Sequence, residues 1–389
     1  MAKQREHSLT GRIDDRLMLQ AFIAVKRNRG AAGIDKVSIQ MFEDNLEQNL
    51  AALKKDIKTG AFQPVPLRRK YISKGPGQFR PLGIPAVRDR VAQEVVRSLL
   101  SPIFERQFHD SSFGFRPKRN CHQALEAVLE AHRQGLTFVL DADIKGFFDN
   151  LPFQVIMDGV AAEVADGNIL RLVEKFLRSG VMEDGVFKPT TVGTPQGGVI
   201  SPLLANIVLN HLDWQLHQAG YRFVRYADDF VVVCQTLKQA EEAKTFVEQI
   251  LKAELGLELS QEKTKITTYG KGYTFLGFQL SSRSRKMRPK SKAKFQDKIR
   301  ELTCRSHNLE ANVITKLNQV IRGTAHYFIT RFSTGREMVH KLDSWIRMRL
   351  RCMKFKRKSS HDNRKVRVKT FCKLGLLSME SFCDKVVGV

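Results

Sequence analysis

The spacing of apolar and polar positions changes several times along the chain, and each change predicts an element. Up to about residue 60 the apolar positions follow helical spacing, interrupted at Gly30-Ala-Ala-Gly33. Residues 64–85 hold Pro64, Pro66, Pro76, Pro81 and Pro85 with Gly75, Gly77 and Gly83, which predicts loops and short strands. Helical spacing returns over 87–109. Thr137-Phe-Val-Leu-Asp-Ala-Asp-Ile144 is a short β-rich run, and 198–217 reads as helix. Residues 221–234 read as a hairpin in which an apolar strand, a tight acidic turn and a second apolar strand follow one another. An amphipathic helix over 239–255 precedes strand character over 266–280, and from Lys290 to about Lys358 the pattern is helical. Helices, then mixed elements, then helices predict an α+β core with a helical appendage.

Charge divides the chain differently. Of a formal net charge of +25, the stretch Ser281–Thr370 holds 26 Lys+Arg against 6 Asp+Glu, so most of the excess sits there. A surface so self-repelling implies a polyanionic partner, with nucleic acid ahead of an anionic membrane. No apolar stretch reaches the ~18–20 residues that span a bilayer, so no membrane partner is expected. The N-terminus lacks an apolar signal-peptide core. The six cysteines form no CxxC pair, which argues against a zinc site or a disulfide framework and for a reducing, intracellular location.

Three carboxylates change the picture. Asp143 ends an apolar strand, and Asp228 and Asp229 sit at the tip of the predicted hairpin. Alone, Asp228-Asp229 reads as a solvated turn. Acids crowded at the ends of apolar strands raise one another's pKa unless a cation neutralises them. Hard oxygen ligands suit Mg²⁺, which takes one or two carboxylates plus substrate phosphates. A pair of such ions can clamp the attacking and leaving oxygens of a phosphoryl transfer.

The surrounding blocks resemble the reverse transcriptases of group II introns, the intron maturases. Gly33-Ile-Asp35, Arg80-Pro-Leu-Gly-Ile-Pro85, and Gly114-Phe-Arg-Pro117 with Cys121-His-Gln-Ala-Leu125 are similar to their N-terminal, second and lineage-specific blocks. Asp143-Ile-Lys-Gly-Phe-Phe-Asp149 resembles polymerase motif A; Gly193-Thr-Pro-Gln-Gly-Gly198 with Ser201-Pro202 resembles motif B; Tyr226-Ala-Asp-Asp229 resembles motif C. Gly256-Leu-Glu-Leu-Ser-Gln-Glu-Lys-Thr-Lys265 and Phe275-Leu-Gly-Phe278 are similar to motifs D and E. Each block is weak alone; their order over residues 30–280 carries the resemblance.

The resemblance implies a right-hand polymerase. Residues 1–60 would be an N-terminal extension and the start of the fingers. Residues 61–280 would be fingers and an RRM-like antiparallel palm, and 281–358 a helical thumb (domain X). A short basic segment, 359–389, would be a DNA-binding remnant or else a disordered basic tail. Asp143 and Asp228 would be the main metal ligands, with Asp229 accessory and the Ile144 carbonyl contributing, around two Mg²⁺ for which Mn²⁺ could substitute. Lys74 and Arg80 would contact the dNTP triphosphate. Phe148 would sit under the sugar and exclude a 2′-OH, or be a core aromatic. Gln196 and Gly197 would lie beneath the nascent base pair. Lys263 would protonate the pyrophosphate, or be a solvated surface lysine. The implied partners are structured intron RNA, an RNA template with a DNA primer, dNTPs and target DNA, in a bacterial-type cytoplasmic ribonucleoprotein near the nucleoid. No paired cysteines and histidines follow the thumb, so no HNH endonuclease is expected. Two alternatives stay open: a splicing cofactor without polymerase activity, and a reverse transcriptase recruited for host defence or repair.

Overall fold

The computed structural model describes residues 5–75, 77–194 and 197–387, and of residues 74, 75, 78, 386 and 387 the backbone alone. It divides into two compact units, Met1–Ile266 and Thr267–Val389.

In the first unit, the helix Asp15–Arg27 starts where the Asp14 carboxylate accepts from the Leu17 N–H. It buries Met18, Ala21, Phe22 and Val25, one stripe at helical spacing. That stripe packs on the helix Val87–Glu105. The second helix is buried almost all round along its first half, so its polar residues need internal partners. Asp89 accepts from the Val65 N–H, Arg90 donates to the Ala31 carbonyl, and Gln93 accepts from the Val199 N–H. The helix thereby ties the Gly30–Gly33 loop and the approach to the first strand to the loop that precedes residue 200.

Strands β1 (Leu67–Gly75) and β2 (Gln78–Ile84) form a longer antiparallel hairpin than the prolines suggest. Proline is tolerated because β2 is an edge strand, where a missing N–H costs little. Strand β3 (Phe138–Asp143) belongs to another sheet. β4 (Val181–Glu183) and β5 (Val186–Lys188) extend the first one, in the order β2-β1-β4-β5. The second sheet gathers β6 (Arg222–Tyr226), β7 (Asp229–Cys234) and β8 (Lys265–Thr268) around β3 in the order β6-β7-β3-β8. Helices Phe153–Ala161, Gly167–Leu177, Ser201–Gln218 and Leu237–Ala253 share a single core with it, and the helix Cys121–Arg133 packs on β6 and β7. Three of these, between residues 121 and 177, lie where the sequence pattern had predicted no element.

In the second unit, β9 (Tyr273–Phe275), β10 (Phe278–Leu280) and β11 (Arg285–Met287) form an antiparallel meander. The turn Leu276-Gly277 has φ of 47° and 81°, which suits a two-residue hairpin. Helices Pro289–Leu302, Ala311–Phe328 and Arg336–Phe355 surround a second core that includes Leu317, Ile321, Leu342 and Ile346. Val366, Phe371 and Met379 are buried in that same core. Buried Asp343 accepts from the Ser378 hydroxyl and from the Met379 and Glu380 N–H groups. The segment after residue 359 is thus a folded part of this unit, with its lysines and arginines on the outside. Among the described residues no helix is long and apolar enough to cross a membrane.

Candidate active site

Antiparallel pairing builds the site from the backbone upward. In the β3–β7 register, Asp143 lies directly opposite Asp229. In the β6–β7 hairpin, Tyr226 pairs with Asp229. Ala227 and Asp228 are therefore the two residues of the turn, and Ala227 carries the positive φ (59°) that such turns demand. All three carboxylates meet at one end of the sheet because two strands end there together.

Their environments differ. Asp228 is half-buried; burial pushes its carboxyl up, and the neighbouring Asp143 charge adds to this, while Arg80 and Arg225 oppose it. Asp229 is exposed. Asp143 holds the Lys263 ammonium at 2.9 Å on Oδ1. Its backbone is pinned by the motif D segment: the Ser260 N–H donates to the Asp143 carbonyl, and the Asp143 N–H to the Thr264 hydroxyl. Ile144 is buried and bridges Leu259. Two residues before Asp143, burial lifts the Asp141 carboxyl to about 6, with Lys265 partly offsetting it.

Among the described residues no three His, Cys, Asp or Glu side chains converge tightly enough to hold a metal by themselves. The donor set nevertheless fits a hard divalent cation. Mg²⁺ binds through one or two carboxylates and leaves its other positions to water and substrate phosphates. Asp143 and Asp228 supply two charged oxygen donors whose mutual repulsion a cation would relieve.

Of the other expected residues, Lys263 and Arg80 act on these acids directly. Phe148 is half-buried and stacks edge-on against Phe147 at 5.2 Å. Its carbonyl accepts from the Thr194 N–H at 2.7 Å. A Cβ on Gly193 would stand 2.7 Å from that same oxygen, so only glycine lets motif B pack on motif A here. Gly197, at φ 117°, abuts the Gly83 carbonyl of β2. Arg80 is exposed on β2, close enough for its charge to act on Asp228. Gln196 lies outside the described residues, as does the side chain of Lys74.

Of one set of residues behind the turn, Gly114 alone falls in a motif block. Arg225 is completely buried and paired with buried Asp213. Asn206 is also buried, and Gly114 packs on Ala227. The available signal is polarity out of place. Arg225 interrupts an apolar strand, and Asn206 and Asp213 interrupt an apolar helix.

Residues 72–280 match the reverse transcriptase (RNA-dependent DNA polymerase) family, and residues 292–371 the group II intron, maturase-specific domain. The chain is similar to Protein YkfC of Escherichia coli (strain K12), at 34% identity over 286 residues, covering 64% of this chain and 75% of YkfC. It is also similar to the group II intron-encoded protein LtrA of Lactococcus lactis subsp. cremoris, at 32% identity over 308 residues. That match covers 61% of this chain and 50% of LtrA, so the similarity spans half the length of that relative. Among solved structures, telomerase from Candida albicans with a fragment of telomeric RNA is similar at a TM-score of 0.46 and 15% identity, covering 90% of this chain and 69% of that one.

Proposed function

This chain belongs to the reverse transcriptase family and carries a group II intron maturase-specific domain, and from that premise we propose that it extends a DNA primer on an RNA template at Asp143 and Asp228 while holding structured intron RNA. The observation that carries the reading is the register that sets Asp143 opposite Asp229 and leaves Asp228 in the turn between β6 and β7.

Reverse transcriptase domains use divalent metal ions; we take them here to be two Mg²⁺, held by Asp143, Asp228 and the Ile144 carbonyl with Asp229 accessory, and replaceable by Mn²⁺. Bound there, the ions would lower the pKa of the primer 3′-OH and neutralise charge on the triphosphate. The protein's own share is positioning. Arg80 and Lys74 grip the triphosphate from the fingers hairpin, a task suited to a guanidinium fork and a lysine point charge. Phe148 lies under the sugar and leaves no room for a 2′-OH. Gln196 and Gly197 form the floor beneath the nascent pair. Lys263, resting on Asp143 in this structure, is the proton donor to the pyrophosphate leaving group.

The second unit is the RNA-holding part, and its exposed lysines and arginines are the phosphate contacts. The folded segment after residue 359 adds a basic surface for target DNA. We place the protein in the cytoplasm, assembled with its RNA.

The direct test is incorporation of dNTPs onto a DNA primer annealed to an RNA template, with and without EDTA. Extension that requires divalent metal supports the proposal; no extension on any RNA template under Mg²⁺ or Mn²⁺ removes it. The RNA-holding role has a separate signature. If six or more phosphates are contacted, affinity for structured RNA falls by about a thousandfold between 50 and 200 mM salt. A filter-binding series with a flat response would mean that the positive charge of the second unit does not bind phosphate.

A further inference from the structure

The buried ion pair between Arg225 and Asp213 lies directly behind the hairpin turn, and its hydrogen bonds reach the turn itself. We propose that Arg225 is a positioning residue for Asp228, acting through the Ala227 carbonyl; this rests on the polymerase reading of the turn.

Arg225 sits within β6 yet is wholly excluded from solvent. Its Nε donates to Asp213 Oδ1 at 2.7 Å, and its Nη2 donates to Asp213 Oδ2. Its Nη1 donates twice, to Asn206 Oδ1 and to the Ala227 carbonyl, each at 2.9 Å. The Asn206 amide in turn donates to the Gly114 carbonyl at 2.8 Å. The Arg225 backbone closes the frame: its N–H donates to the Ser111 carbonyl, and its carbonyl accepts from the Phe113 N–H, both at 2.9 Å. Gly114 then lies so close that a Cβ on it would stand 2.3 Å from the Ala227 nitrogen.

Two things about this frame point beyond packing. First, a buried ion pair is a poor way to gain stability, since well-packed apolar residues of similar volume serve as well or better. Second, the frame ends on a residue held in the left-handed region without being glycine, which persists only where its surroundings over-determine it. Ala227 is the residue immediately before Asp228. Fixing its carbonyl from below and its nitrogen from the side leaves the Asp228 backbone little freedom. The carboxylate direction is then set before any ligand arrives.

The test separates positioning from stability. The double variant Arg225→Met with Asp213→Leu replaces the pair by apolar side chains and leaves no buried charge behind. It is expected to keep a melting temperature within a few degrees of the parent and an unchanged KM for primer–template. Its kcat falls by about 10- to 100-fold, because small misplacements of reacting groups cost that much. Amide hydrogen exchange at Ala227 and Asp228, read in metal-free buffer, becomes faster. A folded double variant with parental kcat and parental exchange overturns the proposal. If the double variant does not fold, Arg225→Lys decides. It keeps a cation against Asp213 and removes the guanidinium Nη1 that bonds Asn206 and the Ala227 carbonyl, so a smaller fall in kcat with faster exchange at the turn supports the proposal. Parental values for both overturn it. Should the unaltered protein extend no primer at all, the polymerase reading fails, while the exchange measurement still reports whether Arg225 holds the turn.

Discussion

Asp228→Ala is expected to lower the rate of primer extension at saturating dNTP by about a thousandfold or more, roughly 4 kcal/mol of transition-state stabilisation. The size follows from where the carboxylate sits. Asp228 is half-buried at the end of a sheet, in a medium where a charge acts more strongly than in water. It also lies near the other main acid, Asp143. Loss of fold is not expected to contribute. Burial raises the Asp228 pKa, so the charged form is held in the native state at a cost. That cost is absent below the ordinary carboxylate pKa and grows as pH rises through the raised native value. Around neutral pH the alanine variant should therefore melt no lower than the parent in metal-free buffer, as read by calorimetry. Asp229→Ala, by contrast, alters an exposed residue and should retain more activity than Asp228→Ala. An Asp228→Ala protein with parental extension would take the catalytic assignment away from this turn.

The candidate site was legible because motif blocks occur in order around Asp143, Asp228 and Asp229. The two acids at the hairpin tip would alone pass for a solvated turn, and Asp143 at the end of an apolar strand supplies the third carboxylate. The order of elements was legible for another reason: the hairpin over 222–234 and the long helices carry strong periodicity. The helices Cys121–Arg133, Phe153–Ala161 and Gly167–Leu177, on either side of the β-rich run, went unread although they are sound. The helix Cys121–Arg133 has a capping box formed by Asn120 and Gln123, a local signal that the motif blocks around it obscured.

Residues after 359 show a different limit. Val366, Phe371 and Met379 are too sparse among lysines and arginines to display a period. What holds Met379 is the remote carboxylate Asp343, and what holds the Val366 carbonyl is the Arg351 guanidinium, roles that appear only once the segment lies against the helix Arg336–Phe355. The bracket behind the turn was hidden in the same way. Arg225, Asp213 and Asn206 are separated by 7 to 19 positions, and only the packing of the helix Ser201–Gln218 on β6 makes them neighbours. A buried charge in an apolar strand is the part of that pattern a sequence can show. Its partner is not, because opposite charges on nearby elements are common and most of them face water.

Phe148→Val should raise ribonucleotide incorporation relative to dNTP by about 10- to 100-fold, equivalent to about 1.4–2.7 kcal/mol of discrimination. Selectivity against a single hydroxyl is more readily built from a clash than from added attraction, because the competitor keeps every other contact. A clash requires a ring that cannot move aside. Phe148 meets that need through its backbone: its carbonyl is bonded to the Thr194 N–H, Gly193 presses against it, and Phe147 lies edge-on beside the ring. The same contacts give Phe148 a packing role. Trimming it costs stability, by less than the 3–5 kcal/mol of a fully buried Phe→Ala change because the ring is half-exposed. The absolute dNTP rate will therefore fall whichever role the ring has, and the informative quantity is the ratio of kcat/KM for matched dNTP and rNTP in single-nucleotide incorporation. A ring that only fills space lowers both terms together and leaves the ratio where it was. A ring under the sugar lowers the dNTP term by a few-fold while the rNTP term rises. An unchanged ratio in a folded Phe148→Val protein would return Phe148 to the core and leave sugar selection to another residue.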